Sequence, residues 1–515
     1  MSQPKLGGDV VAVLVLSAVL TLIGLVAENS WLGLLLGIVV LGLLTYAMSR
    51  VPLRLSMMAL TFFVFVLPNP GEGKPTEWDP PLTKIGAILL NHLNTVDRTF
   101  SLLSSVPISG IDIMFVLLGL IYYARKSSRS KIDTFGQLAT PKPMLQLARL
   151  SMASTVFTWL SGMARGGEFS FSLWQFNTVI YLPIVFLLFH VSLRGPADNE
   201  SLAKVILAAA TYKCFMAYYV VHAFKMPMDP ETGSTSPPYG TSHNDSMLFA
   251  TAFVLIIAPL IDGAGKRAIK IAAIFLPILI MGTIANNRRL AWVQVGLVFV
   301  TVYFISRETP MKRKLRRTFY ASLPVLGIYA MLGWSSQFGK FYKPVRMIRS
   351  IVDAKSDGSS QWRELENVNI IATFRDGTLF GTGFGHPYKE VVVLPRVDYA
   401  LERYTPHNSL LGVWAYEGVV GYAGLTLLWM GGVYFAMRAY YNGQLQGQRT
   451  AALISFGTVL VYLLQSWGDL GLGSWTGVFL MGGALATAGK VATATGQWGD
   501  SKPKGPAQPT AQPMA

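Results

Sequence analysis

A histidine and an asparagine stand where a long polar segment meets an apolar run of membrane length. They are His407 and Asn408, in the stretch TPHNSLL at 405–411. An unperturbed imidazole titrates at about 6.5, so it can take a proton from a sugar hydroxyl near neutral pH. His407 is therefore a candidate general base at the water–lipid boundary, and the neighbouring Asn408 is a candidate substrate-binding residue. The alternative is a histidine that only hydrogen-bonds to the backbone where a helix begins.

Two adjacent arginines interrupt an apolar hairpin between two predicted membrane spans. Arg288 and Arg289 lie in the stretch ANNRRLAW at 285–292. Charges at membrane depth are costly and usually functional, and the planar guanidinium group matches the oxygens of a phosphate. The pair is a candidate anchor for a pyrophosphate, although two arginines that merely extend their charged ends to the interface would give the same pattern.

A basic amphipathic stretch, FGKFYKPVRMIRSIVD, occupies 338–353. Its apolar residues recur at helical spacing, and basic residues, among them Arg346 and Arg349, separate them. A helix of this kind lies along a membrane surface with its aromatic side in the lipid. Arg346 and Arg349 are therefore predicted to bind anionic headgroups or substrate. A solvated interfacial helix without a ligand is the alternative.

A cluster of small and polar residues, YGTSHND at 239–245, precedes another apolar run. His243 and Asn244 are candidates for a sugar-binding site. The same pattern is typical of a capping turn in which Asn244 or Asp245 begins the next helix.

Glycines at 381, 383 and 385 allow tight turns or a close approach of the backbone to a partner. No strand–helix unit surrounds these glycines, so the sequence does not favour a nucleotide-binding loop.

The composition is that of a membrane protein. Of the 515 residues, 52% are hydrophobic and 14% are charged. Apolar runs of roughly 17–22 residues recur, and runs of this length cross a bilayer as helices, because lipid requires every backbone polar group to be bonded internally. The formal charge of +16 lies mostly in short loops, so it indicates orientation in the membrane rather than nucleic-acid binding. Cys214 is the only cysteine, and the six histidines lack the spacing of a metal site.

We predict an all-α polytopic membrane protein with 12–14 transmembrane helices; the runs at 109–123 and 150–163 are short. The predicted spans are 9–27, 31–47, 51–68, 109–123, 150–163, 174–192, 202–223, 245–261, 270–285, 290–306, 318–334, 413–437, 450–467 and 474–490. Basic residues collect at alternate loops, so those loops and both termini are predicted to be cytoplasmic. The resulting divisions are spans with short loops at 1–334, a large periplasmic loop at 335–408, further spans at 409–495 and a disordered cytoplasmic tail at 496–515.

Four of these elements, in order along the chain, resemble the O-antigen ligase and polymerase superfamily, which includes the Wzy-type polysaccharide polymerases and the WaaL-type ligases. His407-Asn408 with the following Glu417-Gly418 and Gly421 resembles its HNxxL…ExGxxG signature. Arg363 followed by LFGTGFG at 379–385 resembles an arginine with a PLFGxGxG element, here without the proline. The stretches 239–245 and 287–292 resemble the start of a middle span and a Ser-Arg element, with Asn287 or Arg288 in the place of the serine.

The resemblance, which covers residues 200–440, implies a GT-C-like fold and a glycosyl transfer that inverts the anomeric carbon and needs neither metal nor cofactor. The implied donor is a glycan on undecaprenyl pyrophosphate. Arg289 and Arg363 would neutralise the departing pyrophosphate, with Arg288 as the alternative to Arg289, and His407 would act on the acceptor hydroxyl.

We therefore predict a polymerase of polysaccharide repeat units in the bacterial inner membrane, with its active site facing the periplasm. A ligase that moves the glycan to lipid A core or protein is one alternative. A transporter or flippase is an alternative of another class, but the paired repeats and broken helices typical of transporters are not evident in the sequence. The expected partners are the lipid-linked glycan, an acceptor glycan or lipid, membrane lipids and export or chain-length machinery, and no nucleic acid.

Overall fold

The computed structural model describes residues 8–26, 30–68, 82–90, 108–128, 130, 132–133, 137–225, 239–336, 342, 345–346, 349, 358–395, 401 and 403–498. In these ranges the chain is helical and contains no β-strand, which confirms the predicted fold class of an all-helical polytopic membrane protein.

The helices are named here in chain order. They are α1 (Gly8–Val26), α2 (Ser30–Arg50), α3 (Leu53–Val66), α4 (Thr83–Leu90), α5 (Gly110–Ser127), α6 (Lys142–Ala164), α7 (Phe169–Ser192), α8 (Pro196–Ala223), α9 (Asp245–Ile261), α10 (Gly265–Asn286), α11 (Arg289–Ile305), α12 (Pro310–Trp334), α13 (Gly358–Asp376), α14 (Ser409–Asn442), α15 (Gln446–Gly468) and α16 (Trp475–Ala494).

Each predicted span coincides with a helix of the described chain. Among the described residues, six helices are long and apolar enough to cross a membrane, namely α7, α8, α10, α14, α15 and α16. Five shorter apolar helices lie within α1, α2, α3, α9 and α11. The short runs at 109–123 and 150–163 belong to α5 and α6, which together with α12 fall outside both groups. The number of helices that cross the bilayer therefore stays a prediction.

Some helices begin well before their apolar run. For example, α8 begins at Pro196 rather than at 202, and α12 begins at Pro310 rather than at 318. Proline is favoured in the first turn because it has no N–H to leave unbonded and its φ is already helical. The helices α4 and α13 were not predicted, since α4 has only eight residues and α13 is too polar to stand out as a span.

The loops of the bundle collect at two ends. At one end, Arg54 in the first turn of α3 pairs with Asp198 in the first turn of α8 (3.3 Å), and Arg125 near the end of α5 donates to the carbonyls of Ser49 and Val51 between α2 and α3. At the other end, the loop at 165–168 meets the segment 381–386, and the loop after α15 meets α13. The second end also holds the polar segment before α14. The charge pattern predicts that the first end is cytoplasmic and that the second end is therefore periplasmic.

Helix α16 forms the centre of the bundle and is buried along nearly its whole length. It contacts α3, α7, α8, α9, α14 and α15. Glycines allow these close approaches: a Cβ added to Gly482 would lie 2.8 Å from a methyl group of Val185. Small residues at helix interfaces are typical of membrane bundles, in which packing replaces the hydrophobic effect.

A break in α14 shapes the second end of the bundle. Gly418 has φ 63° and ψ −172°, so the helical hydrogen bonds around it cannot form. The segment 377–385, named here the glycine strap, supplies replacements. Its bonds are Thr382 N to Ala415 O (3.2 Å), Gly383 N to Tyr416 O (2.9 Å), Val419 N to Thr378 O (2.9 Å) and Val420 N to Leu379 O (3.0 Å). The predicted role of these glycines in tight turns and close backbone approach agrees with this geometry.

Two predictions fall largely on residues outside the described ranges. Of the basic stretch 338–353, only Tyr342, Val345, Arg346 and Arg349 are described. Of the predicted disordered tail, residues 499–515 lie outside the description, whereas Trp498 packs against Phe435 with ring centroids 5.7 Å apart.

We expect Gly383→Ala to lower stability by at least about 2 kcal/mol. Gly383 has φ 81°, and an added Cβ would lie 2.3 Å from Gly162 Cα. The measurement is thermal unfolding of the purified protein in detergent. The control is Gly296→Ala, within α11, where an added Cβ meets no atom within 4 Å; it should be neutral or slightly stabilising. Equal melting temperatures for the two variants would contradict this account of the strap.

Candidate active site

Helix α13 places two ionisable side chains one turn apart at the second end of the bundle. They are Arg363 and Glu366, whose positions three apart put them on the same helix face. Arg363 Nη1 donates to the carbonyl of Gly468 (2.8 Å), where α15 ends, and Nη2 lies 3.7 Å from the carboxylate of Asp469. About a third of the Arg363 side chain remains exposed, so its charge is available to a ligand.

His407 lies against Glu366. The carboxylate accepts the backbone N–H of His407 (3.1 Å), and its two oxygens lie 3.4 and 3.5 Å from Nδ1 of the ring. The Trp362 ring meets the imidazole edge to face, with centroids 4.9 Å apart. Glu366 is fully buried, whereas the His407 side chain is 37% exposed.

Asn408 and Ser409 fix the start of α14. The Asn408 side-chain oxygen accepts the N–H of Leu411 (3.2 Å), so this residue caps the helix. Ser409 Oγ donates to the carbonyl of Ser466 (2.9 Å) and thereby ties α14 to the end of α15. In the part of the chain that the structure describes, the amide nitrogen of Asn408 is buried and has no hydrogen-bond partner. The cap accounts for the oxygen of Asn408 and leaves its NH₂ group for a ligand.

His243 reaches the same place from the loop before α9. Its Nδ1 lies 2.9 Å from a carboxylate oxygen of Asp469. Burial alone would raise the pKa of Asp469, but the hydrogen bond from His243 and the charges of His243 and Arg363 lower it from 3.8 to about 2. The carboxylate therefore stays ionised and joins three elements of the fold.

Arg288 approaches the cluster from the turn between α10 and α11. Its guanidinium carbon lies 3.2 Å from the centre of the Tyr239 ring, a cation–π contact. Burial lowers the pKa of Arg288 to about 10, an effect that Tyr239 and Asp469 oppose and Arg363 reinforces, so the side chain remains charged at neutral pH. Within the described ranges, its Nε is buried and has no hydrogen-bond partner. A half-buried cation of this kind is suited to bind an anion.

The remaining candidates take different positions. Arg289 is half-buried and begins α11 directly beside Arg288, so the choice between the two arginines stays a prediction. Asn244 precedes α9 without a side-chain capping bond, and the helix begins at Asp245. The backbone N–H of Arg346 donates to the carbonyl of Tyr342 (3.0 Å), and the guanidinium group of Arg349 donates to the carbonyl of Trp334, where α12 ends.

Sequence reasoning missed Glu366 and Asp469. Glu366 follows Arg363 by three residues, and this spacing on a helix would have placed both on one face. However, α13 is too polar to be read as a span, and it was not predicted. Asp469 is the acidic residue in a short turn between two apolar runs, and this position could have identified it as a candidate site residue.

The comparisons with known proteins agree with the motifs. A family model described as O-antigen ligase matches residues 272–426, a range that holds the two adjacent arginines, α13, the glycine strap and the His-Asn pair. No curated protein matches the chain. Residues 272–426 thus carry an O-antigen ligase domain, which confirms the resemblance to the O-antigen ligase and polymerase superfamily. The described part of the chain is a helical bundle with several helices able to cross a membrane, and residues 272–426 within it match a family of glycosyltransferase-like ligases and polymerases.

We expect Asp469→Asn to change how stability depends on pH. A carboxyl whose pKa is 3.8 when unfolded and about 2 when folded stabilises the fold above pH 4 and loses this effect as pH falls towards 2. At neutral pH the contribution is about 2 kcal/mol. The melting temperatures of wild type and variant in detergent should therefore differ most above pH 5 and converge between pH 4 and pH 2. A gap that stays constant through this range would contradict the role of Asp469.

Proposed function

We propose that this chain is a membrane glycosyltransferase that polymerises polysaccharide repeat units from undecaprenyl-pyrophosphate donors. In this proposal the reaction takes place at the outer face of the bacterial inner membrane, with the second end of the bundle facing the periplasm. The proposal is supported by the O-antigen ligase domain and by the side chains that meet beside α13.

The observation that carries the proposal is the unbalanced positive charge beside α13. Arg288 is half-buried and charged, and it lies close enough to Arg363 and Asp469 to interact with both electrostatically. One carboxylate cannot neutralise two guanidinium groups, and an unpaired charge that is partly removed from water is costly. A pyrophosphate supplies the missing negative charge, and its oxygens match the geometry of guanidinium groups.

The proposed reaction is a direct displacement. Nε2 of His407 takes the proton of the acceptor hydroxyl while the hydroxyl oxygen bonds to the anomeric carbon of the donor sugar. The bond from this carbon to the pyrophosphate oxygen breaks, its electron pair leaves with undecaprenyl pyrophosphate, and the configuration inverts. Arg363, with Arg288 or Arg289, stabilises the charge on the leaving group. In this proposal His243 and Asn408 contact the donor or the acceptor glycan.

A ligase is the second candidate, because the family model that matches is described as an O-antigen ligase. Polymerase and ligase share the donor chemistry and differ in the acceptor, which is a growing glycan in one case and lipid A core or protein in the other. Export or chain-length machinery would be a partner of the polymerase.

The purified protein should convert lipid-linked repeat units into a ladder of longer glycans, and EDTA should not slow the reaction. A single transfer to lipid A core or protein would instead indicate a ligase.

His407→Ala should lower the rate at least about 100-fold, because general-base catalysis is lost. Arg363→Ala should have a similar effect through the leaving group. The measurement is product length and rate on gels. No product under any condition would reject the proposal.

Arg288→Ala and Arg289→Ala should be compared in the same assay. Replacing the arginine that contacts pyrophosphate should lower the rate of transfer roughly 100-fold, and replacing its neighbour should lower the rate far less. Arg267→Ala is the matched control, since this exposed arginine pairs with Glu200 near the first end of the bundle. Wild-type rates for both variants would reject a pyrophosphate anchor in this turn.

Cysteines at the two ends of the bundle should react from opposite sides of the membrane. Glu364→Cys, on an exposed position of α13, should be labelled in whole cells with permeable outer membranes by a maleimide that cannot cross the inner membrane. Ser128→Cys, at the first end, should react only after the inner membrane is opened. Cys214 is buried, so the background is low. Labelling of both variants from one side would overturn the topology.

A further inference from the structure

Glu366 is a buried carboxylate with an unusual set of partners. It lies on α13, is fully buried and faces the residue before the cap of α14. Among the described residues, His407 is the basic residue within ion-pair distance of Glu366. Burial of a carboxylate is costly unless hydrogen bonds compensate for the lost water. Both oxygens of Glu366 are directed to His407, one of them also to its backbone N–H.

The imidazole of His407 is held in one orientation. Its backbone carbonyl accepts the N–H of Ser409 (2.9 Å), and Trp362 lies against the ring. The two ring nitrogens point in widely different directions, so Nε2 is directed away from Glu366 when Nδ1 faces it. Which nitrogen carries the proton is set by the hydrogen bond that the other makes.

We propose that Glu366 is the positioning residue for His407: its carboxylate accepts Nδ1–H and thereby keeps Nε2 free to take the proton of the acceptor hydroxyl. This inference rests on the proposed glycosyl transfer and deepens it. When Nε2 gains the proton, the ring becomes a cation, and the buried carboxylate beside it stabilises that cation. Glu366 does not touch the substrate; it acts through the tautomer and orientation of His407.

Other charged and titratable groups near the pair do not compete for this role. Arg363 is one turn away on α13 but donates to the Gly468 carbonyl and faces Asp469. From α14, Tyr416 interacts electrostatically with Glu366, and its hydroxyl donates to the carbonyl of Arg403. The carboxylate of Glu366 is thus directed to His407.

The decisive variant is Glu366→Gln. The amide keeps the size of the side chain, and its oxygen can still accept the His407 N–H. Its NH₂ group would donate to Nδ1 and favour the tautomer that carries the proton on Nε2. In that tautomer Nε2 has no free lone pair and cannot act as a base. We expect kcat to fall roughly 100-fold or more, while KM for the lipid-linked donor stays within about twofold, because donor binding depends on the arginines.

Two further variants separate positioning from a structural role. Glu366→Asp keeps the acceptor carboxylate and should recover at least about tenfold of the lost kcat. Glu364→Gln, an exposed position on the same helix, should behave as wild type. All variants should be compared in melting temperature in detergent.

The outcomes distinguish this inference from the proposed function. If the wild-type protein transfers no glycan, the glycosyltransferase proposal fails and this inference with it. If the wild type is active and Glu366→Gln keeps its kcat, only the positioning role is overturned. A loss of kcat that follows a loss of melting temperature, or that Glu366→Asp does not relieve, would also overturn it, since Glu366 would then be structural.

Discussion

The carboxylate of Asp469 holds the second end of the bundle together. It lies in the short turn between α15 and α16, hydrogen-bonded to His243 and within ion-pair distance of Arg363. Those two side chains come from the loop before α9 and from α13, which are far apart in the sequence. Opposite charges that are largely removed from water attract strongly, because little solvent screens them. One acidic group in the turn between α15 and α16 thus brings a histidine and an arginine from distant parts of the sequence to a common place.

A second constraint comes from the backbone of α14. Lipid offers no hydrogen bonds, so a broken helix near the membrane must find partners within the protein. The break at Gly418 meets this requirement through the glycine strap, whose positive φ values only glycine adopts without strain. The strap follows α13 directly, and its partner α14 begins two residues after His407. The hydrogen bonds that repair α14 therefore also fix where α13 lies relative to His407.

The sequence predicted the fold class and the positions of most helices, because long apolar runs are a strong signal in membrane proteins. It also selected Arg288, Arg363, His243 and His407, which the structure brings to one end of the bundle. Glu366 and Asp469 escaped notice, since an acidic residue in a polar segment has no local feature that reveals its burial. Their partners, His407 for Glu366 and His243 with Arg363 for Asp469, are distant in the sequence and are identified only from the three-dimensional structure. The difference between Arg288 and Arg289 likewise depends on which way the turn at Asn287, with φ 55°, directs each side chain.

The two carboxylate–imidazole pairs, Glu366–His407 and Asp469–His243, differ in a way that suits a transfer reaction. Glu366 is completely buried and faces the ring of His407, so its charge acts on a single proton-accepting group. Asp469 is slightly exposed and is shared among His243, Arg363 and Arg288, so it offsets only part of their charge. A cluster that neutralised itself completely would have no electrostatic reason to bind an anion. Because the arginines are incompletely paired, their side of the site can bind a charged leaving group. Because Glu366 is completely buried against His407, that side can support a proton transfer.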